Sequence, residues 1–167
     1  MTQTVLGRSI ADASRYVHVV SLGSYCGAKL TLRRLGFGEA HLPFDWMRTT
    51  VKGLLLWLRT DFAGFFDWTS RLELTQSGQR MTVYRSVHSS FWHDDLEDEV
   101  DREKLRRRVQ RFLDLARDNS GRALLFVRSA AGSCELEDSE ELLLLLQEKF
   151  QTPQRRVWLL VILEDEP

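Results

Sequence analysis

In the stretch "VHVVSLGSYCGAKLTLRRLG", residues 17 to 36, an apolar run turns once and delivers Cys26 to the start of a helical pattern. The first amides of a helix lack intrahelical partners and carry the positive end of its macrodipole, a field that favours a thiolate over a thiol. Gly23 permits close backbone approach, and Ser21 and Ser24 bring hydroxyls to the same turn. With Tyr25 these residues form a candidate seat for the oxyanion of a tetrahedral intermediate, or equally for a carboxylate or phosphate. Free cysteine is also among the residues most often buried, so plain packing is the competing role for Cys26.

A thiol nucleophile needs a base. Of the four histidines, His18 lies inside the first apolar run and reads as a packed residue, while His41 and His88 have no distinctive setting. His93, in "SSFWHDDLED", stands between Trp92, which can shield one ring face, and Asp94, which can cap a helix or orient an imidazole. Asp45, in "LPFDWM", is flanked by Phe44 and Trp46. It reads either as a turn former or as a buried carboxylate that needs a histidine or arginine beside it. Phe44, Trp46 and Trp92 together make a candidate aromatic wall for a substrate pocket.

The elements that must hold these groups follow from periodicity. Tyr16 to Ser21, "RALLFVRS" and "RRVWLLVIL" are consecutive apolar runs, the pattern of strands covered on both faces of a parallel sheet. Helical spacing is expected from Cys26 to Leu35, through "VKGLLLWLRT" with Thr49 or Thr50 as cap, and through "ELEDSEELLLLLQEKF". The clearest helix is "HDDLEDEVDREKLRRRVQRFLDLARDNSG", with acids early, arginines late and an apolar stripe of Leu105, Val109, Phe112 and Ala116. "RLELTQSGQRMTVYRSV" reads as a small β-hairpin about Ser77 and Gly78. The expected fold is α/β, a three-layer, mainly parallel Rossmann-like sheet with a hairpin excursion. It comprises an N-terminal extension over residues 1–15 and one domain over 16–167, cut short at its C-terminal end.

Composition narrows the function. The chain has 167 residues, is 43% hydrophobic and 28% charged, and carries a formal net charge of −1, which supplies no basic surface for nucleic acid. Two cysteines make no disulfide framework and no zinc spacing, so no metal and no cofactor are expected, and the expected compartment is the cytoplasm. The apolar runs are too short to span a membrane. Oligomeric state is not encoded in these features.

Taken in order, "VSLGSYCGAKLTLRRLGF", "LPFDWM", "DFAGFF", "FWHDD", "RRRVQRFL" and "ALLFVRS" resemble the uncharacterised family labelled putative papain-like cysteine peptidase. The resemblance implies a thiol-dependent hydrolase with Cys26 as nucleophile and His93 as base, Asp45 or Asp94 orienting the imidazole, and a small-molecule, peptide or glycan-linked substrate. It also implies a cysteine helix packed on a mainly antiparallel sheet, where the periodicity predicts a parallel one. Two other classes stay open. One is a transferase or binding domain whose "SLGSYC" turn grips a phosphate or sugar nucleotide with Arg48 or Arg128; the other is a non-catalytic interaction module.

Overall fold

Three runs of consecutive apolar residues do form one parallel sheet in the computed structural model, which describes residues 4–5, 8–9, 13–38, 40–76, 78–130 and 132–163. The elements are β1 (Thr4–Val5), β2 (Arg8–Ser9), β3 (Val17–Ser21), α1 (Cys26–Arg34), β4 (Met47–Thr49), α2 (Val51–Arg59), β5 (Ser70–Gln76), β6 (Gln79–Arg85), β7 (Ser89–Phe91), α3 (Glu99–Asp114), β8 (Ala123–Ala130), α4 (Ser139–Phe150) and β9 (Val157–Leu163). Single 3-10 turns occupy Leu115–Arg117 and Ser133–Leu136. Most of the expected N-terminal extension and residues 164–167 lie outside the described residues.

The parallel sheet has the order β3-β8-β9, with Val19 beside Leu125 and Leu125 beside Trp158. Alternation along each strand sends its side chains to two faces. Val20, Leu124, Phe126 and Val157 enter the main core with Phe112 of α3 and Leu142, Leu146 and Phe150 of α4. On the opposite face, Val19 and Val127 meet Leu32 of α1 in a smaller cluster.

A second sheet, antiparallel and in the order β4-β7-β6-β5, stands apart from the first. The predicted hairpin is its β5–β6 pair, turned at Gly78 with φ +79°. It is therefore no excursion from the parallel sheet. β4 and β7, three residues each, complete the four strands.

The Rossmann-like three-layer expectation is corrected accordingly. Among the described residues only α1 lies on the outer face of the parallel sheet, and beyond it Trp158, Leu160 and Ile162 of β9 remain 45–47% exposed. Apolar residues on both faces of a strand predict cover on both faces, and among the described residues one face of β9 is only partly covered. A mainly antiparallel sheet is also present, but the cysteine helix α1 packs on the parallel one, through Leu32 against Val19 and Val127, so the arrangement implied by the family resemblance is not met.

Local signals set the helix ends. The Thr50 hydroxyl caps α2 by accepting from Gly53 N–H at 3.1 Å. Asp98 caps α3 through Val100 N–H at 3.0 Å, four residues later than Asp94. Gly36, at φ +81°, ends α1. In α3, Leu105 and Phe112 are buried as the stripe predicts, but the 3-10 turn that follows buries Leu115 and exposes Ala116.

Candidate functional site

β3 ends at Ser21, and the chain turns through Leu22, Gly23, Ser24 and Tyr25 into α1. The Ser21 hydroxyl accepts from Gly23 N–H at 3.2 Å and so holds the turn itself. Gly23 has φ +71°, and a Cβ there would stand 2.5 Å from the Phe44 carbonyl oxygen. Only glycine lets the "SLGS" turn sit on the "PFDW" segment. Ser24 is buried and carries φ +102°, a conformation in which an L side chain is strained. The Tyr25 side chain does not cap α1, and no acid occupies the first turn of that helix. Half-buried Cys26 thus begins a helix whose N-terminus carries no side-chain cap and no first-turn acid.

The antiparallel sheet supplies the facing wall. Met47 pairs with Phe91 and Arg48 with Ser90, so the β4–β7 ladder brings "PFDW" beside "FWHDD". Trp46 meets the edge of His93 at 5.9 Å between centroids, with 79° between planes. The Trp46 indole N–H donates to His41 Nδ1 at 2.9 Å. Burial, and then the nearby Lys29 cation, hold His41 below the usual histidine range, which suits an accepting nitrogen. Trp92 is fixed by its indole N–H donating to Ser90 Oγ at 2.9 Å, and the Arg48 guanidinium carbon lies 4.9 Å from the Trp92 ring centroid.

Between the two walls lies a pocket of about 560 Å³, lined by Tyr25, Cys26, Trp46, Met47, Arg48 and His93, with Trp92 and, from the β5–β6 hairpin, Leu74, Thr75 and Met81. Cys26 and His93, 67 positions apart in sequence, share this one pocket. The sequence pattern of the family described as putative papain-like cysteine peptidase matches residues 17–163. The chain belongs to that family. An uncharacterized protein of Acanthamoeba polyphaga mimivirus is 30% identical over 157 residues, covering 76% of this chain and 69% of the viral one. No solved structure matches the chain.

Other residues that sequence reasoning placed at the candidate site have different surroundings. Phe44 does not line the pocket; it is fully buried and packs against Trp57, Phe62, Phe65 and Phe112. Asp45 is fully buried, as its aromatic neighbours suggested, but its partner is Lys29, with Nζ 2.7 Å from Oδ2. The same oxygen accepts Leu42 N–H at 2.8 Å, while Oδ1 is buried with no hydrogen-bond partner among the described residues. Burial raises the Asp45 carboxyl above the usual range, against the opposing pull of Lys29. Asp94 is engaged by Arg108 at 3.0 Å. Neither carboxylate is hydrogen-bonded to His93 among the described contacts.

Sequence reasoning missed a bracing arginine. It treated Arg128 as a ligand contact, yet Arg128 is fully buried on the core side of β8. Its guanidinium donates to both Glu135 oxygens, to the Leu22 carbonyl at 3.1 Å, to Thr49 Oγ1 at 2.8 Å and to the Thr49 carbonyl at 2.6 Å. One side chain so ties the Cys26 turn to the strand that carries Arg48. The signal was an arginine inside the apolar run "ALLFVRSA" with a glutamate seven residues on, since a charge buried in a strand must be paired. Among the described residues no cluster of three or more His, Cys, Asp or Glu could hold a metal ion, and no helix is long and apolar enough to cross a membrane.

Proposed function

We propose that this chain is a thiol-dependent hydrolase with Cys26 as nucleophile and His93 as general base. The observation that carries the reading is the shared pocket, in which a helix-start cysteine from one sheet and an imidazole from the other line the same hollow. His93 takes the Cys26 proton, and Sγ bonds to an acyl carbon. Amides at the start of α1 and the Ser24–Tyr25 turn receive the oxyanion. The intermediate collapses as His93 returns the proton to the leaving nitrogen or oxygen. Water, deprotonated by the same imidazole, then cleaves the thioester to release the acid and restore the thiol. The strained Ser24 backbone fits a turn held for this purpose, since such outliers gather at functional sites. The two free cysteines fit a reducing, cytoplasmic setting.

The phosphate-binding alternative loses one of its two arginines, because Arg128 is committed to Glu135. A peptidyl acyloxymethyl ketone tests the thiol reading. It should label Cys26 and not Cys134, and His93→Ala should slow labelling by about 10²-fold or more at unchanged melting temperature. Equal labelling of both cysteines, or full labelling of the His93 variant, removes the proposal.

A further inference from the structure

We infer that Arg48, laid against Trp92, reads a carboxylate carried by an otherwise apolar substrate, so that the pocket takes compact acyl-amino acids or short peptides with a free carboxyl end. The inference rests on the thiol reading above only for the position of the scissile bond.

β4 buries Met47 and Thr49 and turns Arg48 outward between them, the alternation of a strand with one solvated face. Arg48 is the one side chain of permanent charge among the pocket's lining residues, and that lining contains no carboxylate. Nor does Arg48 form an ion pair or hydrogen bond with any described residue, whereas Arg108 and Arg128, also near the site, each hold an acid. Contact with Trp92 fixes the guanidinium near the ring, and a planar fork fixed in this way offers its N–H groups to a planar monoanion. Trp46, Leu74 and Met81 of the same lining offer apolar contact. A volume of about 560 Å³ suits a small ligand better than a length of folded chain.

Paired alkylating probes separate charge from reactivity. Iodoacetate and iodoacetamide attack the same thiol and differ in one carboxylate. The ratio of their rates at Cys26, read by mass spectrometry, should exceed the ratio for glutathione by about tenfold in the wild type and fall to the glutathione value in Arg48→Gln. A wild-type ratio equal to that of glutathione, or a raised ratio that survives Arg48→Gln, overturns the inference. If Cys26 reacts with neither probe, the thiol reading fails, and Arg48 is judged by calorimetric titration of Cys26→Ser with N-acetylphenylalanine and its amide. Tighter binding of the acid by about tenfold, lost in Arg48→Gln, sustains the carboxylate site. Equal binding of acid and amide, no binding of either, or tighter binding of phenyl phosphate than of the acid overturns it.

Discussion

Arg128 with Glu135 and Lys29 with Asp45 are both cation–carboxylate pairs withdrawn from water near the Cys26 turn, and they differ in how fully their polar atoms are engaged. All three Arg128 guanidinium nitrogens donate, and Glu135 Oε1 also accepts Val51 N–H at the start of α2. Lys29 gives one hydrogen bond to the Ala40 carbonyl at 2.6 Å and meets one Asp45 oxygen, and the other oxygen of Asp45 has no hydrogen-bond partner among the described residues. A buried pair repays its desolvation only when its remaining donors and lone pairs are filled. The first pair therefore acts as a brace between two sheets, while the second stands close to the balance point at which an apolar or neutral replacement does as well.

Substitution sharpens that contrast. The largest effect is expected for Arg128→Met, which takes the guanidinium away from the buried Glu135 carboxylate and from the Leu22 and Thr49 oxygens at once. Urea denaturation should show a loss of about 3–5 kcal/mol, and a loss below about 1 kcal/mol would break the distinction between the pairs. Lys29→Met alone should cost about 1–3 kcal/mol, because Asp45 can escape its isolation by protonating. Adding Asp45→Asn, whose amide oxygen can still accept from Leu42 N–H, should bring stability back to within about 1 kcal/mol of the wild type. Failure of that recovery would make the two pairs equivalent.

The smallest effect is a pH dependence. Because burial raises the Asp45 carboxyl above its unfolded value, the native state holds this proton more tightly than the unfolded chain. Its contribution to stability is complete below about pH 4 and drains away as pH rises through the folded value. The stability difference between wild type and the Lys29→Met, Asp45→Asn double variant should accordingly move in favour of the variant as pH climbs from about 4 toward neutrality. A constant difference, or one that moves in favour of the wild type, would contradict the sign.

What the sequence made legible follows the same physics. Runs such as "ALLFVRS" and "VWLLVIL" carry their strand signal in every residue, and the long acidic-start helix carries its apolar stripe and charge order, so the parallel sheet and the body of α3 were readable, although its cap lies four residues past Asp94. β4 and β7 have three residues each, too few for a period, and without them the second sheet is reduced to its β5–β6 hairpin. The candidate site was legible where a residue's own neighbours define it. Cys26 follows a strand and a glycine turn, His93 sits between an aromatic and an acid, and both line one pocket. Lys29 and Arg48 take their roles from partners 16 and 44 positions away, and nothing local marks them, whereas Arg128 was marked by its place inside an apolar run.

The seat of Gly23 on Phe44 is backbone against backbone, with no side chain between them to absorb a displacement. A residue inserted in either segment would have to displace the other, so the two lengths constrain each other. Among the described residues, a side chain added at Gly78, at the far end of the β5–β6 hairpin, or at Gly121, between α3 and β8, would meet no neighbour within 4 Å, and changes in loop length are accommodated there instead.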